Sequence, residues 1–253
     1  DGAVIRTPNG RWIVIDAGPR MAGADAGRRV VVPFLRRRGV RAVDLMVVSH
    51  AHADHLGGAP AVLAKFPVAV VTEPGRRVAD PLYLEFLDLL TARGVRWRPG
   101  RPGDRIRLDG VSLTVLHPDT TWAEWGTDVN EDSLVLLLEY GTFQALFAGD
   151  AGFPAEERLR GRIGDVDLLK VGHHGSAGSS SDAWLRELSP RVAIVSVGRN
   201  TYGHPAPAAV ERLDRSGAEL WRTDRDGTVL VETDGTTMSI RADARAADYP
   251  TDP

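Results

Sequence analysis

Residues 44–55 read Asp44-Leu45-Met46-Val47-Val48-Ser49-His50-Ala51-His52-Ala53-Asp54-His55. The apolar part of this segment is typical of a buried strand, and four potential metal ligands follow it within six residues. In a turn after a strand, His50 and His52 can point to one side while Asp54 and His55 reach a second point nearby. A polar surface turn is the other interpretation, but four ligand-type side chains rarely gather so tightly by chance. The segment therefore indicates a metallohydrolase, and its spacing suits two metal ions.

The chain contains seven histidines and no cysteine. Five of the seven histidines fall in two groups, His50/His52/His55 and His173/His174. Without thiolates, a metal site must use imidazole, carboxylate and water, which suit Zn²⁺ and also accept Mn²⁺ or Fe²⁺. We expect one or two divalent ions, Zn²⁺ or Mn²⁺, and ligand type alone leaves their identity open.

Length and composition favour one large domain over residues 1–242, followed by a polar tail over residues 243–253. The chain has 253 residues, of which 43% are hydrophobic, enough for a sizeable core. No apolar run approaches the ~20 residues that cross a bilayer, and a signal-peptide pattern is lacking, so we expect no direct membrane insertion. The net charge of −3 excludes a global basic field, so phosphate binding depends on local patches. Two arginine runs are candidates, Arg36-Arg37-Arg38, for which a solvated helix face is the preferred interpretation, and Arg93, Arg96, Arg98 and Arg101.

The first hundred residues predict a hairpin followed by alternating helices and strands. The hairpin joins residues 4–7 to 12–15 through Asn9-Gly10. Helical spacing covers Asp25 to Arg38, and Gly39 ends it. Gly57-Gly58 is expected to let the backbone turn tightly under the histidine group. Further elements are a helix over Ala59 to Lys65, a strand over Val68 to Val71 and a helix from Asp80-Pro81 to about Arg93.

After the first hundred residues, the sequence first predicts mostly strands, and helices and strands then alternate. Strands are predicted at 106–108, 111–116, 134–140, 143–147, 166–171 and 192–197 and near Leu220, Val229 and Ser239. Helices are predicted at 154–159, 182–188 and 206–215. Strands in the middle with helices on both flanks suggest a four-layer αββα fold of the α/β (α+β) class, in which two mixed sheets are sandwiched between helices.

Several other ligand-type residues also follow apolar strands. Asp150 can place a carboxylate between two metals, or it can cap the helix that begins near Phe153. His173 and His174 precede a serine run, Ser179 to Ser181, which is expected to start a helix whose amides can hold an anion. His204 can hold substrate phosphate, protonate a leaving group or brace its loop.

Three further residues have weaker interpretations. His117 ends a middle strand, and a structural role is preferred for it, although it becomes a ligand if its loop folds inward. Trp122 and Trp125 can line a small-molecule pocket or stack on bases.

Together these residues resemble the metallo-β-lactamase superfamily, whose motif His-x-His-x-Asp-His is matched by His50, His52, Asp54 and His55. Further phrases resemble the hydrolase domain of ComEC/Rec2-type competence proteins over nearly the whole chain. These phrases are Ile15-Asp16-Ala17-Gly18, Asn130-Glu131-Asp132-Ser133-Leu134-Val135, Phe147-Ala148-Gly149-Asp150, Lys170-Val171-Gly172-His173-His174-Gly175-Ser176 and Tyr202-Gly203-His204-Pro205.

The resemblance implies an αββα fold in which Asp150 is the bridging carboxylate. One metal is then held by His50, His52 and Asp150, and the other by Asp54, His55, Asp150 and one of His173 and His174, for which His174 is chosen. The segment Asn130-Glu131-Asp132-Ser133 replaces the superfamily's usual third-histidine segment, which leaves the first metal with fewer ligands. The branch usually opens with a strand ending in Gly-Gln-Gly-Asp, so we expect that first strand to be missing here.

The resemblance also implies a function in DNA uptake, where such a domain lies beside a transmembrane channel and is thought to degrade one strand of incoming DNA. The leading hypothesis is therefore a metal-dependent phosphodiesterase or nuclease that acts on DNA, as a single strand, or on another phosphodiester. If the chain is such a domain of a competence protein, we expect a membrane channel as a separate or fused partner and a place at the extracytoplasmic face of the membrane; otherwise its location is open. Asp54 would orient the attacking hydroxide, and His173 or His204 would meet the phosphate or protonate the leaving oxygen. The alternatives are a standalone metallohydrolase of a small ester, phosphocholine or lactam, and a non-catalytic binding domain of a DNA-uptake assembly.

Overall fold

Sixteen strands and eight helices are formed by residues 1–21, 23–119 and 128–242, the part of the chain that the computed structural model describes. Contacts between residues separate this part into two units, residues 1–100 and residues 101–242. Each unit contains one mixed sheet with helices packed on it. No helix among the described residues is long and apolar enough to span a lipid bilayer.

Unit 1 contains a five-stranded sheet of order β1-β2-β5-β6-β7. Its strands are β1 (Ala3–Arg6), β2 (Trp12–Ile15), β5 (Leu45–Val47), β6 (Val70–Glu73) and β7 (Arg96–Pro99). The first pair is antiparallel and the other neighbours are parallel, so the carboxyl ends of β2, β5 and β6 lie at one edge of the sheet. A short hairpin is formed by β3 (Arg20–Met21) and β4 (Ala24–Asp25).

The helices of unit 1 are α1 (Val32–Arg37), preceded by a π-helical turn (Gly27–Val31), α2 (Ala53–Leu56), α3 (Ala59–Lys65) and α4 (Pro81–Ala92). Asp80 caps α4 because its carboxylate accepts from the backbone N–H groups of Leu82 and Tyr83. Apolar side chains of α1, α3 and α4, such as Leu35, Val62 and Phe86, pack with the sheet residues Val14, Met46 and Val71 into one core.

Unit 2 contains a seven-stranded sheet of order β14-β13-β12-β11-β10-β9-β8. Its strands are β8 (Arg105–Leu108), β9 (Val111–His117), β10 (Val135–Tyr140), β11 (Phe143–Phe147), β12 (Leu168–Lys170), β13 (Val192–Val195) and β14 (Glu219–Arg222). Pairs from β8 to β11 are antiparallel and pairs from β11 to β14 are parallel, so β11, β12 and β13 end at the same edge. A separate hairpin is formed by β15 (Val229–Thr233) and β16 (Met238–Ala242).

The helices of unit 2 are α5 (Phe153–Leu159), α6 (Asp182–Leu188), α7 (Pro207–Ser216) and α8 (Thr223–Asp226). Trp184 of α6, 2% exposed, and Leu213 of α7 pack with Leu146, Leu169 and Val195 of the sheet. This core holds the three parallel strands whose carboxyl ends carry the candidate ligands.

The predicted class, an α/β fold with two mixed sheets and helices, is confirmed. The predicted bounds of α3, α6 and β11 agree with the structure, whereas β6 begins two residues later than predicted and β7 was not predicted. The predicted single domain over residues 1–242 stays a prediction. The predicted tail at residues 243–253 lies outside the described residues.

Candidate metal-binding groups

The first ligand group lies at the carboxyl end of β5 in unit 1. The chain leaves the strand through Ser49 and His50, turns at His52, and enters α2, which carries Asp54 and His55. His50 and His55 are buried, and the centroid of the His50 ring lies 4.8 Å from that of His52 and 4.2 Å from that of His55. The four predicted ligands of the motif are therefore gathered in one place.

Asp16 organises this group from the end of the neighbouring strand β2. Its carboxylate accepts hydrogen bonds from the backbone N–H of Ser49 (2.7 Å), the Ser49 hydroxyl (2.8 Å) and Nδ1 of His55 (2.8 Å). The His55 ring is thus fixed through Nδ1, and its Nε2 atom lies 3.9 Å from an Asp54 carboxylate oxygen. A histidine that binds metal commonly donates its other ring N–H to a carboxylate, which sets its orientation and basicity. Sequence reasoning gave Asp16 no role.

Gly58 allows the chain after α2 to approach the loop that carries Asp16. The backbone N–H of Ala17 donates to the His55 carbonyl (2.9 Å), and that of Gly58 donates to the Gly18 carbonyl (3.0 Å). A Cβ atom on Gly58 would collide with the Ala17 carbonyl oxygen and with the backbone of Gly27. Gly58 has an ordinary helical φ of −82°, so it is needed for close backbone approach, not for the tight turn that the sequence predicted.

The second ligand group lies in unit 2, at the carboxyl ends of β11 and β12. Asp150 follows β11 and is 2% exposed. His173 and His174 lie in a 3₁₀ turn (Gly172–Gly175) after β12, and the backbone N–H of His173 donates to the Gly149 carbonyl (3.0 Å). One carboxylate oxygen of Asp150 lies 3.6 Å from Nε2 of His174 and 3.9 Å from Nε2 of His173. This group therefore combines a buried carboxylate with two imidazoles.

The two histidines differ in how they are held. The Nδ1–H of His174 donates to the Ser196 carbonyl (2.9 Å), so the ring presents Nε2 towards Asp150. His173 is more exposed, with 28% of its side chain accessible against 13% for His174. Both residues have positive φ values of 50° and 51°, a conformation that costs energy for a non-glycine residue. These contacts favour His174 as the ligand and His173 as a group that meets the substrate, an assignment that stays a prediction.

His204 joins the second group from the loop after β13. Its ring centroid lies 5.6 Å from that of His173 and 6.4 Å from that of His174. Tyr202, which is 81% exposed, stacks beside it at 6.2 Å. Unit 2 therefore brings His204 together with His173 and His174, which lie beside Asp150.

The segment from Asn130 to Ser133 supports the loop that carries Asp150. The Ser133 hydroxyl accepts from the backbone N–H of Asp150 (3.0 Å), and both residues are buried. The Glu131 carboxylate accepts from the N–H groups of Gly152 (3.4 Å) and Ala155 (3.1 Å) at the start of α5. The Glu131 carboxylate therefore accepts hydrogen bonds from the amino-terminal end of α5. The N-cap residue of α5 is Gly152, so the interpretation of Asp150 as the helix cap is wrong.

The serine run does not offer the anion site that the sequence suggested. The buried carboxylate of Glu156 accepts from the backbone N–H groups of Ser180 and Ser181. Arg212 then donates to the carbonyl oxygens of Ala177, Ser179 and Ser180. Because an internal carboxylate already occupies these amides, the run braces the loop after His174 instead.

His117 has the structural contact that was preferred for it. Its Nε2–H donates to the Glu131 carbonyl (2.7 Å), and the side chain is buried. Burial lowers the pKa of His117 below its ordinary value of 6.5, against the opposing effect of that hydrogen bond. Trp122 and Trp125 lie outside the described residues.

The donors in both groups suit a divalent metal. Imidazole nitrogen and carboxylate oxygen are the common non-thiolate ligands of zinc and are also accepted by manganese. The carboxylate of Asp16 and the Ser196 carbonyl orient His55 and His174 in the way that metal-binding histidines usually require. The described residues thus include a histidine and aspartate cluster suited to binding metal ions.

Comparison with known proteins identifies relatives of the whole region. Residues 3–199 match the model of the metallo-beta-lactamase superfamily. The chain is 32% identical over 206 residues to ComE operon protein 3 of Bacillus subtilis, covering 80% of this chain and 26% of that protein. It is 34% identical over 230 residues to competence protein ComA of Neisseria gonorrhoeae, covering 89% and 30%. The chain therefore spans between a quarter and a third of the length of these two relatives.

Other matches agree with the fold and the chemical class. A UPF0173 metal-dependent hydrolase of Cupriavidus necator is 30% identical over 203 residues, covering 75% of this chain and 68% of that protein. The solved structure of the metallo-beta-lactamase fold protein YhfI from Bacillus subtilis aligns with a TM-score of 0.52 at 10% identity, covering 88% of each chain. The chain thus belongs to the metallo-β-lactamase superfamily of hydrolases, and within it resembles the hydrolase domain of ComEC/Rec2-type competence proteins.

Proposed function

We propose that this chain is a metal-dependent phosphodiesterase that hydrolyses DNA, preferentially as a single strand. The observation that carries the proposal is that each unit gathers histidines and aspartates at the carboxyl ends of its strands, with His55 and His174 oriented through Nδ1. The competence relatives support DNA as the substrate, because the chain resembles them over 80% to 89% of its length.

The proposed ligands are His50, His52, Asp54 and His55 in unit 1 and Asp150 and His174 in unit 2. One or two divalent ions, Zn²⁺ or Mn²⁺, would supply Lewis-acid chemistry there by lowering the pKa of water and offsetting charge on phosphoryl oxygens. Asp54, whose side chain is 46% exposed, would orient the attacking water through its carboxylate. His173 and His204 would contact the phosphate or protonate the leaving oxygen, a contribution that is typically ~10²–10⁴-fold.

The proposed partners follow from the length of the relatives. This chain spans 26% to 30% of the two competence relatives. We propose that a membrane channel, in the same protein or in a partner, delivers the strand. We propose the extracytoplasmic face of the membrane as the place where such a complex works.

The experiment is a set of hydrolysis assays on wild-type protein and the Asp150→Ala variant. The substrates are single-stranded DNA, double-stranded DNA, bis-p-nitrophenyl phosphate and nitrocefin, each with added Mn²⁺ or Zn²⁺. We expect DNA cleavage that Asp150→Ala lowers by about a hundredfold or more, because the stabilisation that metal provides in a transition state is several kcal/mol. Bound metal, measured by mass spectrometry, should fall in the same variant.

Asp182→Ala is the matched control, since Asp182 is an exposed aspartate of unit 2 that pairs with Arg215. It should retain both metal and activity. Full DNA cleavage by Asp150→Ala would refute the assignment. Cleavage of only the small ester or the lactam would instead assign the chain a standalone hydrolase function, which the relative from Cupriavidus necator favours because the chain covers 68% of it. Metal binding without hydrolysis of any substrate would favour a binding domain.

A further inference from the structure

Unit 1 is basic although the whole chain is acidic. Residues 1–100 contain 15 arginines and lysines against nine aspartates and glutamates, a net charge of +6, whereas the whole chain has a net charge of −3. An excess of positive charge on one compact unit attracts polyanions and raises their rate of association. The question is whether the surface of unit 1 offers a place where such a ligand fits.

A cavity of about 570 Å³ lies between α4 and β7 in unit 1. Its walls include Leu84 and Leu87 from α4, Trp97 from the edge strand β7, and Arg77 from the loop after β6. Leu84 is 53% exposed and Trp97 is 44% exposed, so both present apolar surface to solvent. The volume falls in the range of about 300–1,000 Å³ that is usual for ligand sites.

The ring of Trp97 is held in place by a hydrogen bond at its indole N–H. Its indole N–H donates to the Glu73 carboxylate (3.0 Å), which also accepts from the backbone N–H of Gly75 (2.9 Å). Glu73 is only 2% exposed and does not line the cavity, so its charge is shielded from solvent. A ring that is fixed at its polar edge and open on its surface loses little conformational freedom when a planar group stacks on it.

A second cavity of about 410 Å³ shares one lining residue, Val95, with the first. Lys65 and Arg93 lie in its wall, and both are exposed. Together with Arg77, three cationic side chains line the two cavities, and the described lining residues include no aspartate or glutamate. None of the predicted metal ligands lines either cavity.

We propose that these two cavities form a binding groove for single-stranded nucleic acid, in which a base stacks on Trp97 and the phosphates contact Arg77, Arg93 and Lys65. Aromatic stacking combined with cations along a groove is the usual way in which proteins bind single strands without reading their sequence. The inference rests on the proposed function in its choice of ligand, and it adds a place that holds the strand away from the metal ligands.

The test is binding of a fluorescently labelled oligothymidine, followed by fluorescence anisotropy in EDTA so that no hydrolysis occurs. We expect Trp97→Leu to raise the dissociation constant by about tenfold or more, because stacking of one base on an aromatic ring contributes that much. The double variant Lys65→Gln/Arg93→Gln should weaken binding and reduce the slope of log affinity against log salt by about 0.7 for each phosphate that the protein no longer neutralises.

Matched controls are available for both changes. Trp221 lies in the edge strand β14 of unit 2, and its indole N–H also donates to a glutamate, Glu219 (2.9 Å), so Trp221→Leu is the control for Trp97→Leu. Arg28→Gln/Arg41→Gln removes two exposed charges of unit 1 that line neither cavity. Circular dichroism verifies that each variant is folded. If Trp97→Leu is unfolded, the double variant Lys65→Gln/Arg93→Gln, which replaces exposed residues, decides the question.

Binding by Trp97→Leu and by the double variant within twofold of their controls would overturn the proposal. So would a change of oligomeric state in Trp97→Leu without a change in DNA binding, since the groove would then hold a second copy of the chain. The outcome is separate from hydrolysis. If binding depends on the groove but the protein cleaves no DNA, this inference stands and the phosphodiesterase function is rejected. If the protein cleaves DNA but binding does not depend on the groove, the phosphodiesterase function stands and this inference is rejected.

Discussion

At the residue scale, Asp16 orients a predicted metal ligand through hydrogen bonds that form only in the folded chain. Its buried carboxylate accepts three hydrogen bonds, and one of them fixes the His55 ring. We expect Asp16→Asn to lower the affinity for Zn²⁺ or Mn²⁺ by about 10- to 100-fold, because an amide orients a ligating imidazole less well than a carboxylate. Competition with a fluorescent chelator measures this affinity.

Asp44→Asn is the control for Asp16→Asn. Asp44 is also an aspartate of unit 1 that accepts from a backbone N–H, that of Trp12 (2.9 Å), but it pairs with Arg11 and contacts none of the predicted ligands. Its replacement should leave metal affinity unchanged. Equal affinities for wild type and Asp16→Asn would show that Asp16 only supports the fold.

The residues that sequence reasoning proposed and those it missed differ in a physical way. His50, His52, Asp54 and His55 form a local pattern, so their spacing alone was informative. Asp16 and Ser133 act across 39 and 17 residues of chain, through contacts that exist only after strands have paired. Asp16 and Ser133 each lie in a sequence segment that resembles the competence-type proteins. The detectable signal for Asp16 was its position directly after a predicted strand.

At the element scale, α2 depends on the absence of a side chain at Gly58. A Cβ atom there would meet the carbonyl oxygen of Ala17, next to Asp16, and the backbone of Gly27. We expect Gly58→Ala to lower the free energy of unfolding by about 3 kcal/mol, the upper range for overpacking. Urea denaturation followed by circular dichroism measures it. Gly198→Ala, at an exposed glycine with nothing within 4 Å of the added Cβ, should change stability little. Equal stabilities would mean that the backbone adjusts at little cost.

The elements that were predicted well share strong local signals. α6 begins directly after Ser181, whose hydroxyl accepts from the N–H of Trp184, and its buried residues follow helical spacing. β7 was missed because Arg96, Trp97 and Arg98 are all exposed, so the strand lacks the alternation of buried and exposed residues that marks most strands. Its place at the sheet edge, which no local signal reveals, explains both its composition and its exposure.

At the scale of the whole molecule, the fold class could be predicted and the strand order could not. Helical and strand periodicities predict which elements form, and parallel strands need crossover helices, so a mixed α/β fold follows. The placement of β2 beside β5, which brings Asp16 to Ser49, involves residues about 30 positions apart and depends on packing of the whole unit. The resemblance to a known superfamily implied the αββα fold but gave no strand order.

The dependence of global stability on pH follows from buried titratable groups. Burial lowers the pKa of His117 from 6.5, with smaller contributions from Arg158 and Arg162. The unfolded chain therefore binds this proton more readily than the folded chain, so the free energy of unfolding falls as the pH drops below about 6.5 and continues to fall until it reaches the lowered pKa. Burial raises the pKa of Glu131 and of Glu156, and these shifts act in the opposite direction, because the folded chain then binds their protons more readily.

A variant separates the contribution of His117 from those of the two glutamates. His117→Gln keeps a donor for the Glu131 carbonyl but does not titrate, whereas both glutamates remain in both proteins and cancel in the comparison. We expect wild-type protein to lose more stability than His117→Gln between about pH 7.5 and about pH 5.5, the range over which an ordinary histidine gains its proton. Urea denaturation in EDTA at both pH values measures the two losses without a contribution from metal binding. Equal losses would mean that His117 takes up its proton as readily in the folded chain as in the unfolded chain, and hence that a neighbouring carboxylate compensates for its burial.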